Sequence, residues 1–174
     1  MDARGVTIRE AKPEDAAKII AFIQRMTEEP GIGVVTSPGE FNLTVEQEEQ
    51  FITAHAEADN SILLVGDAGG EIVAVANCTG GQRKANRHNC VLGISVRKEW
   101  RDRGLGTAVM RRLLDWARQS GVVTRVELEV FPHNDRAIHV YEKLGFQHEG
   151  CRRNAFIKEG RYVDSLVMAV LFDD

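Results

Sequence analysis

A chain of 174 residues with 43% apolar and 28% charged side chains has the length and make-up of one globular domain, taken as residues 1–174. A chain this long buries roughly 70% of its extended surface and needs no disulfide or metal staple. A net charge of -4 argues against a dedicated nucleic-acid binder. No stretch approaches the ~20 apolar residues of a membrane span, and the opening MDARGVTIRE has no signal-peptide core. Cys78, Cys90 and Cys151 are odd in number and lack CxxC spacing, so they are expected to be reduced thiols of a cytoplasmic protein. Neither a nucleic acid nor a membrane is expected as a partner.

In chain order, Val6 to Arg9 predicts a short strand, and Pro13 opens a helical pattern carrying Ala16, Ile19, Ile20, Ile23 and Met26. Glu28 to Leu43 holds Pro30, Gly31, Gly33, Pro38 and Gly39 and predicts a long loop, a kind of segment that often carries function. Thr44 with Gln47 forms a capping box for a helix running to about Glu57. Ser61–Gly66 and Ile72–Cys78 predict a hairpin turning at Gly69 and Gly70. A strand from Cys90 to Val96 with one apolar face precedes a helix from about Gly104 to Gln119, whose inner stripe is Leu105, Val109, Leu113 and Trp116. Val126, Leu128 and Val130 mark the next strand. A helix from Asn134 then ends where Gly145 meets the need for a left-handed cap. Gln147–Ile157 and Tyr162–Leu171 predict a closing hairpin. The order βααβββαβαββ defines an α/β (α+β) domain with a mixed central sheet of about seven strands and four helices.

Charge is unevenly placed. From Arg97 to Arg118 the chain is +4 and the remainder is -8, which suits either a small polyanionic ligand or a solvated helix face. Within it, Arg101-Asp102-Arg103-Gly104-Leu105-Gly106-Thr107 lies between a strand and a helix start. Main-chain N–H groups there can approach an anion without interference from Cβ atoms, and Arg101 and Arg103 add charge. The spacing is neither GxGxxG nor GK[ST], and a tight strand-to-helix turn explains the glycines equally well. Downstream, Asn134 is a good helix cap and Tyr141 falls on the apolar stripe of its helix, as a core residue would.

Together, R-x-x-G-x-G after a strand and N-x-x-A-x-x-x-Y-x-x-x-G-F about thirty residues later resemble the GNAT superfamily of acetyl-CoA-dependent N-acetyltransferases, over Leu92 to Phe146. Gly145-Phe146, Gly150, Gly160-Arg161, Asp164 and Met168 are similar to its ribosomal-protein and phosphinothricin-type branch. The resemblance implies a GNAT-like fold in which the strands at Cys90–Val96 and Val126–Val130 diverge to admit the pantetheine arm of acetyl-CoA. It further implies main-chain pairing of that arm with Ile94 and Val96, and a pyrophosphate held by N–H groups from Arg101 to Thr107. Asn134 would contact the cofactor, and Tyr141 would protonate the departing thiolate. A catalytic glutamate stands five residues before the asparagine in ribosomal-protein N-acetyltransferases, and Glu129 matches that place. On its strand Glu129 also shares a face with Arg125, Glu127 and Phe131, as a plain charged face would.

His88 is either a turn residue or a relay, and water is a further candidate for the base. No His or Cys spacing suggests a metal site. Glu28, Glu29, Glu46, Glu48 and Glu49 either line an amine site or are simply solvated. The implied reaction is direct attack of a primary amine, a small molecule or a peptide or protein N-terminus, on acetyl-CoA. A non-catalytic acyl-CoA sensor and an unrelated nucleotide-binding α/β protein are the competing readings. Dimerisation through the C-terminal strands is common in such families, so a homodimer is compatible with the resemblance.

Overall fold

The computed structural model describes residues 5–29 and 35–172. Strand β1 (Thr7–Glu10) leads to a 3-10 turn (Pro13–Asp15) and helix α1 (Ala16–Glu28). Helix α2 (Val45–Glu57) and strands β2 (Ile62–Ala68), β3 (Glu71–Gly80) and β4 (Asn89–Val96) follow. Helix α3 (Leu105–Gln119), β5 (Arg125–Val130), helix α4 (Asp135–Lys143), β6 (Gln147–Lys158) and β7 (Arg161–Leu171) complete the chain. The order is βααβββαβαββ, as the pattern of the sequence predicts. Pro30, Gly31 and Gly33 of the expected long loop lie outside the described residues, and Glu28 closes α1 instead of opening that loop.

The seven strands form one sheet in the order β1-β2-β3-β4-β5-β7-β6, antiparallel except for β4 beside β5. One core lies on the face covered by α3, where Leu105, Val109 and Leu113 meet Leu64, Ala76, Leu92, Val126 and Leu128. The other lies under α1 and α2, with Ile19, Phe22 and Ile52 against Leu63, Val65 and Ile72. On α1, Phe22 takes the buried place with Ala16, Ile19 and Met26, a stripe at spacings of three and four, and Ile20 and Ile23 sit at its margins.

Two local devices fix the ends of elements. Thr44 accepts from the Gln47 N–H while the Gln47 side chain accepts from the Thr44 N–H, the reciprocal cap that the sequence suggests for α2. Arg9 donates to both oxygens of Asp15, at 2.7 and 2.8 Å, and to Asp67 at 2.9 Å, tying β1 to the start of α1 and to the β2–β3 turn. Asp15 also accepts from the Lys12 N–H at 2.8 Å, which terminates the extended chain and starts the helical one.

The Arg9 hydrogen bonds hold the Asp15 carboxyl below its ordinary value of 3.8, more strongly than its burial raises it. A carboxyl with a lower pKa in the folded state contributes fully above about pH 4 and loses that contribution as the pH falls further. Asp15→Asn is therefore expected to cost about 1–3 kcal/mol at neutral pH. It should also flatten the loss of stability below pH 4, as measured by urea midpoints at pH 7 and pH 3. Equal acid sensitivity in the two proteins would contradict this account.

Candidate active site

The main-chain directions of β4 and β5 follow from hydrogen bonds at the ends of their ladders. Gly81 N–H donates to Asn89 O and Arg97 N–H to Val73 O, so odd-numbered residues of β4 face β3. Even-numbered ones, Leu92, Ile94 and Val96 among them, face β5 by the alternation of an extended chain. Likewise Arg125 N–H donates to His88 O and Phe172 N–H to Thr124 O, so Glu127 and Glu129 present their main chain to β4. The two strands pair only from Asn89↔Arg125 to Val91↔Glu127. Beyond that point they separate, and a cleft of about 790 Å³ opens between them.

Ile94, Val96, Arg101, Asp102, Gly104, Gly106, Thr107, Glu129, Asn134 and Tyr141 all line this cleft. Two residues of the implied cofactor set, Arg103 and Leu105, do not, nor do His88, Glu28, Glu29, Glu46, Glu48 and Glu49. Leu105 is fully buried in the core beneath α3, so only its main chain is available to a ligand. The Arg103 guanidinium stands over the Trp100 ring, 5.7 Å from its centroid. His88 is exposed in the turn before β4, and its carbonyl accepts from Thr124 and Arg125. Among the described residues, no group of three or more His, Cys, Asp or Glu is placed to hold a metal, and no helix is long and apolar enough to cross a membrane.

At one end of the cleft α3 begins at Gly104, whose φ of 79° is left-handed, after Asp102 at φ 58°. No side chain caps that helix, so its first-turn N–H groups and the positive end of its dipole face the cleft. Arg101 does not point its charge freely into this space. Its Nε donates to Val96 O at 2.8 Å, and an Nη donates to Glu29 Oε2 at 2.6 Å. The Val96 carbonyl that faces the gap is thus already taken, whereas no such bond engages the main chain of Ile94. Glu29, which the sequence suggested as lining for an amine, instead neutralises Arg101.

Asn134 caps α4, its Oδ1 accepting from the Ala137 N–H at 3.3 Å, which leaves its Nδ2 for the cleft. The other end of α4 explains the Y-x-x-x-G-F spacing. Phe146 N–H donates to Tyr141 O and Gly145 N–H to Glu142 O, with Gly145 at φ 93°. This paired pattern is the Schellman ending, in which only a left-handed residue lets the chain turn back. The turn brings the buried Phe146 ring within 5.8 Å of the Tyr141 ring and holds the tyrosine against the cleft. Burial pushes the Tyr141 phenol up to about 12, so it stays a proton donor throughout the neutral range.

Glu129 is engaged at both oxygens. Arg152 of β6 pairs with Oε1, and the hydroxyl of Ser165, itself 1% exposed, donates to Oε2 at 2.7 Å. Beyond Arg152 three residues of β6 oppose the single Asp164, with Asn154 at φ 52°. The bend is followed by Phe156, which lines the cleft and meets Phe131 edge-on at 5.6 Å. Met26 and Val35 add apolar surface, and the Val35 carbonyl accepts from Lys158 at 2.9 Å across the rim. Arg136, Phe156 and Met26 were not singled out in the sequence as site residues, Met26 having been read only as part of the apolar stripe of α1. Met26 and Phe156 carry no motif, whereas Arg136 lies inside the Asn134–Phe146 motif and was legible as a cation beside the cap.

A parting pair of parallel strands, an uncapped helix start and a tyrosine held by a Gly-Phe turn meet in this one cleft. The Acetyltransferase (GNAT) family matches residues 32–146, and the chain belongs to that family. A GNAT-family acetyltransferase from Streptococcus pneumoniae superimposes with a TM-score of 0.92 at 33% identity, over 97% of this chain and 99% of that one. The L-amino acid N-acetyltransferase AaaT of Escherichia coli K12 is 36% identical over 106 residues, 61% of this chain and 65% of its own length. The uS5-alanine N-acetyltransferase of the same organism is 27% identical over 60% of this chain and 53% of its own. The matched stretches thus span less than two thirds of these two curated relatives. The fold is also that of yncA, a putative acetyltransferase from Salmonella typhimurium solved with its cofactor acetyl-CoA (TM-score 0.84, 20% identity, 97% and 95% coverage).

The Arg101–Glu29 pair is largely shielded from solvent, with side chains 23% and 16% exposed. Glu29→Gln is expected to lower stability by about 1–3 kcal/mol, the range for hydrogen bonds to charged groups. Amide exchange should rise chiefly in the last turn of α1. Unchanged protection of that turn would show that the pair does not hold it.

Proposed function

We propose that this chain, as a single N-acetyltransferase domain of residues 1–174, moves acetyl from acetyl-CoA to a primary amine by direct attack through a tetrahedral intermediate. The observation that carries the reading is the cleft itself: a main-chain edge at Ile94 with no partner strand on the β5 side, leading to the uncapped start of α3. An extended arm bearing amides can pair with the first, and a pyrophosphate can take the N–H groups from Arg101 to Thr107. Asn134 Nδ2 is a donor for the same arm. None of the three cysteines lies in the cleft wall, which supports direct attack over an acyl-cysteine route.

In this reading the amine enters from the side of Phe156 and Met26, and Glu129 takes its proton, directly or through water. Arg152 holds Oε1 from an exposed position, so an incoming ammonium competes with it for that oxygen. Tyr141 serves the leaving sulfur. Burial that holds the phenol at about 12 keeps it protonated, and the sulfur leaving into the same cleft is desolvated as well, which raises its proton affinity in the same direction. Tyr141 can therefore hydrogen-bond the sulfur as charge develops and protonate it as it leaves. The relatives' names point to two acceptor chemistries, an L-amino acid and an alanine of a ribosomal protein.

The decisive assay is thiol release from acetyl-CoA that depends on an added amine, run with L-amino acids, an alanine-initiated peptide and a polyamine. Calorimetric CoA binding without amine-dependent release from any of them would favour an acyl-CoA sensor. In the active protein, Tyr141→Phe should lower kcat roughly 10–100-fold, the value of one hydrogen bond to a charged group. CoA affinity should stay within about twofold, and no alkaline limb below about pH 11 should vanish with the substitution. Glu129→Gln should lower the rate by roughly 10²–10⁴, with a deficit that shrinks at high pH as more amine is already neutral. A Glu129→Gln protein with unaltered rate and pH profile would remove the glutamate from the mechanism.

A further inference from the structure

Two permanently charged side chains stand in the cleft wall, Arg101 and Arg136, and the structure treats them differently. Arg101 is spent: its Nε is bonded to Val96 O, and its terminal nitrogen to a Glu29 carboxylate that is itself 16% exposed. Turning Arg101 toward a ligand would strand that carboxylate without a partner. Arg136, in the first turn of α4, is held through Nε alone by Asp102 Oδ1 at 3.0 Å. Those side chains are 50% and 79% exposed, and ion pairs of that kind are worth little in water. Asp102 belongs to the loop that opens α3, so the pair reaches from one wall of the cleft to the other, beside the uncapped N–H groups. An acidic side chain at that place sits where an anion would be drawn.

We propose that Arg136 is the side chain that grips the phosphates of the CoA moiety, and that Asp102 is an internal stand-in for phosphate which the ligand displaces. The inference rests on the reading that CoA occupies this cleft. A phosphate offers the guanidinium two oxygens in a planar fork, where Asp102 offers one contact. Once displaced, Asp102 swings outward to solvent, for which its exposure already leaves room. The part that sequence spacing suggested for Arg101 and Arg103 passes to Arg136. Asp102 becomes a competitor of the ligand, not a contact to it.

Calorimetry on the full chain at fixed salt, with CoA, dephospho-CoA and pantetheine as probes, tests this. Arg136→Gln should weaken CoA about tenfold or more, with partial recovery in Arg136→Lys. Asp102→Asn tolerates the same left-handed backbone and removes the competing charge, so it should tighten CoA, by about threefold or more. Pantetheine, which has no phosphate, should bind all these proteins alike. A penalty shared by dephospho-CoA assigns Arg136 to the pyrophosphate; a penalty confined to CoA assigns it to the 3′-phosphate. An unchanged CoA affinity in Arg136→Gln, or a weakened one in Asp102→Asn, overturns the proposal and leaves the cofactor reading standing. Failure of the unaltered protein to bind CoA overturns both. Both residues are exposed, so melting temperatures near that of the unaltered protein should accompany every variant.

Discussion

The separation of β4 from β5 is the constraint on which the rest of this molecule depends. β4 is committed to β3 through seven register pairs and β5 to β7 through six, but the two strands share only three with each other. A sheet that twists from strand to strand yields where pairing is thinnest, and parallel pairing is the weaker kind. The tear leaves main-chain donors and acceptors of Ile94 and Glu129 facing a gap, where they need water or a ligand for a partner. Arg101 closes one of these positions at Val96. The candidate site is thus the part of the sheet that the fold leaves incomplete.

The two glycine motifs serve this gap from opposite ends by the same means. Gly104 turns left-handed so that α3 can begin with its N–H groups aimed into the cleft, and Gly145 turns left-handed so that α4 can end and return Phe146 to the core. The first presents an electropositive helix end, and the second fixes a phenol by ring contact. Tyr141 is at once packed against Phe146 and part of the cleft wall, so one geometry serves both the core and the role proposed for its hydroxyl.

The wall of the cleft is charged but nearly balanced. Glu29 answers Arg101, Asp102 answers Arg136 and Arg152 answers Glu129. The basic island also finds partners outside itself, since Arg97 pairs with Glu71 and Arg118 lies over the Phe172 ring. Within the cleft wall, what remains free to meet an anion is less a field of arginines than a helix end and one loosely held guanidinium.

The sequence alone determined the element order, because hydrophobic period, the Thr44–Gln47 capping box and the turn glycines act over a few residues and need no distant partner. The resemblance of its two motifs to the GNAT pattern also pointed to residues that line the cleft, Ile94, Val96, Gly104, Gly106, Thr107, Glu129, Asn134 and Tyr141 among them, because strand, turn and helix start are contiguous there. The sequence could not assign the partners of the charges. Glu29 is 72 residues from Arg101, and Arg152 is 23 from Glu129; only the packing of α1 on β3, the neighbour of β4, and the β6 register beside β7 bring them together. Nor could it show Phe156 in the cleft, because a bulge within β6 re-aims the strand. Local propensity is written in neighbouring residues. Which charge a charge meets depends on long-range register, and that is decided when the sheet and its helices close.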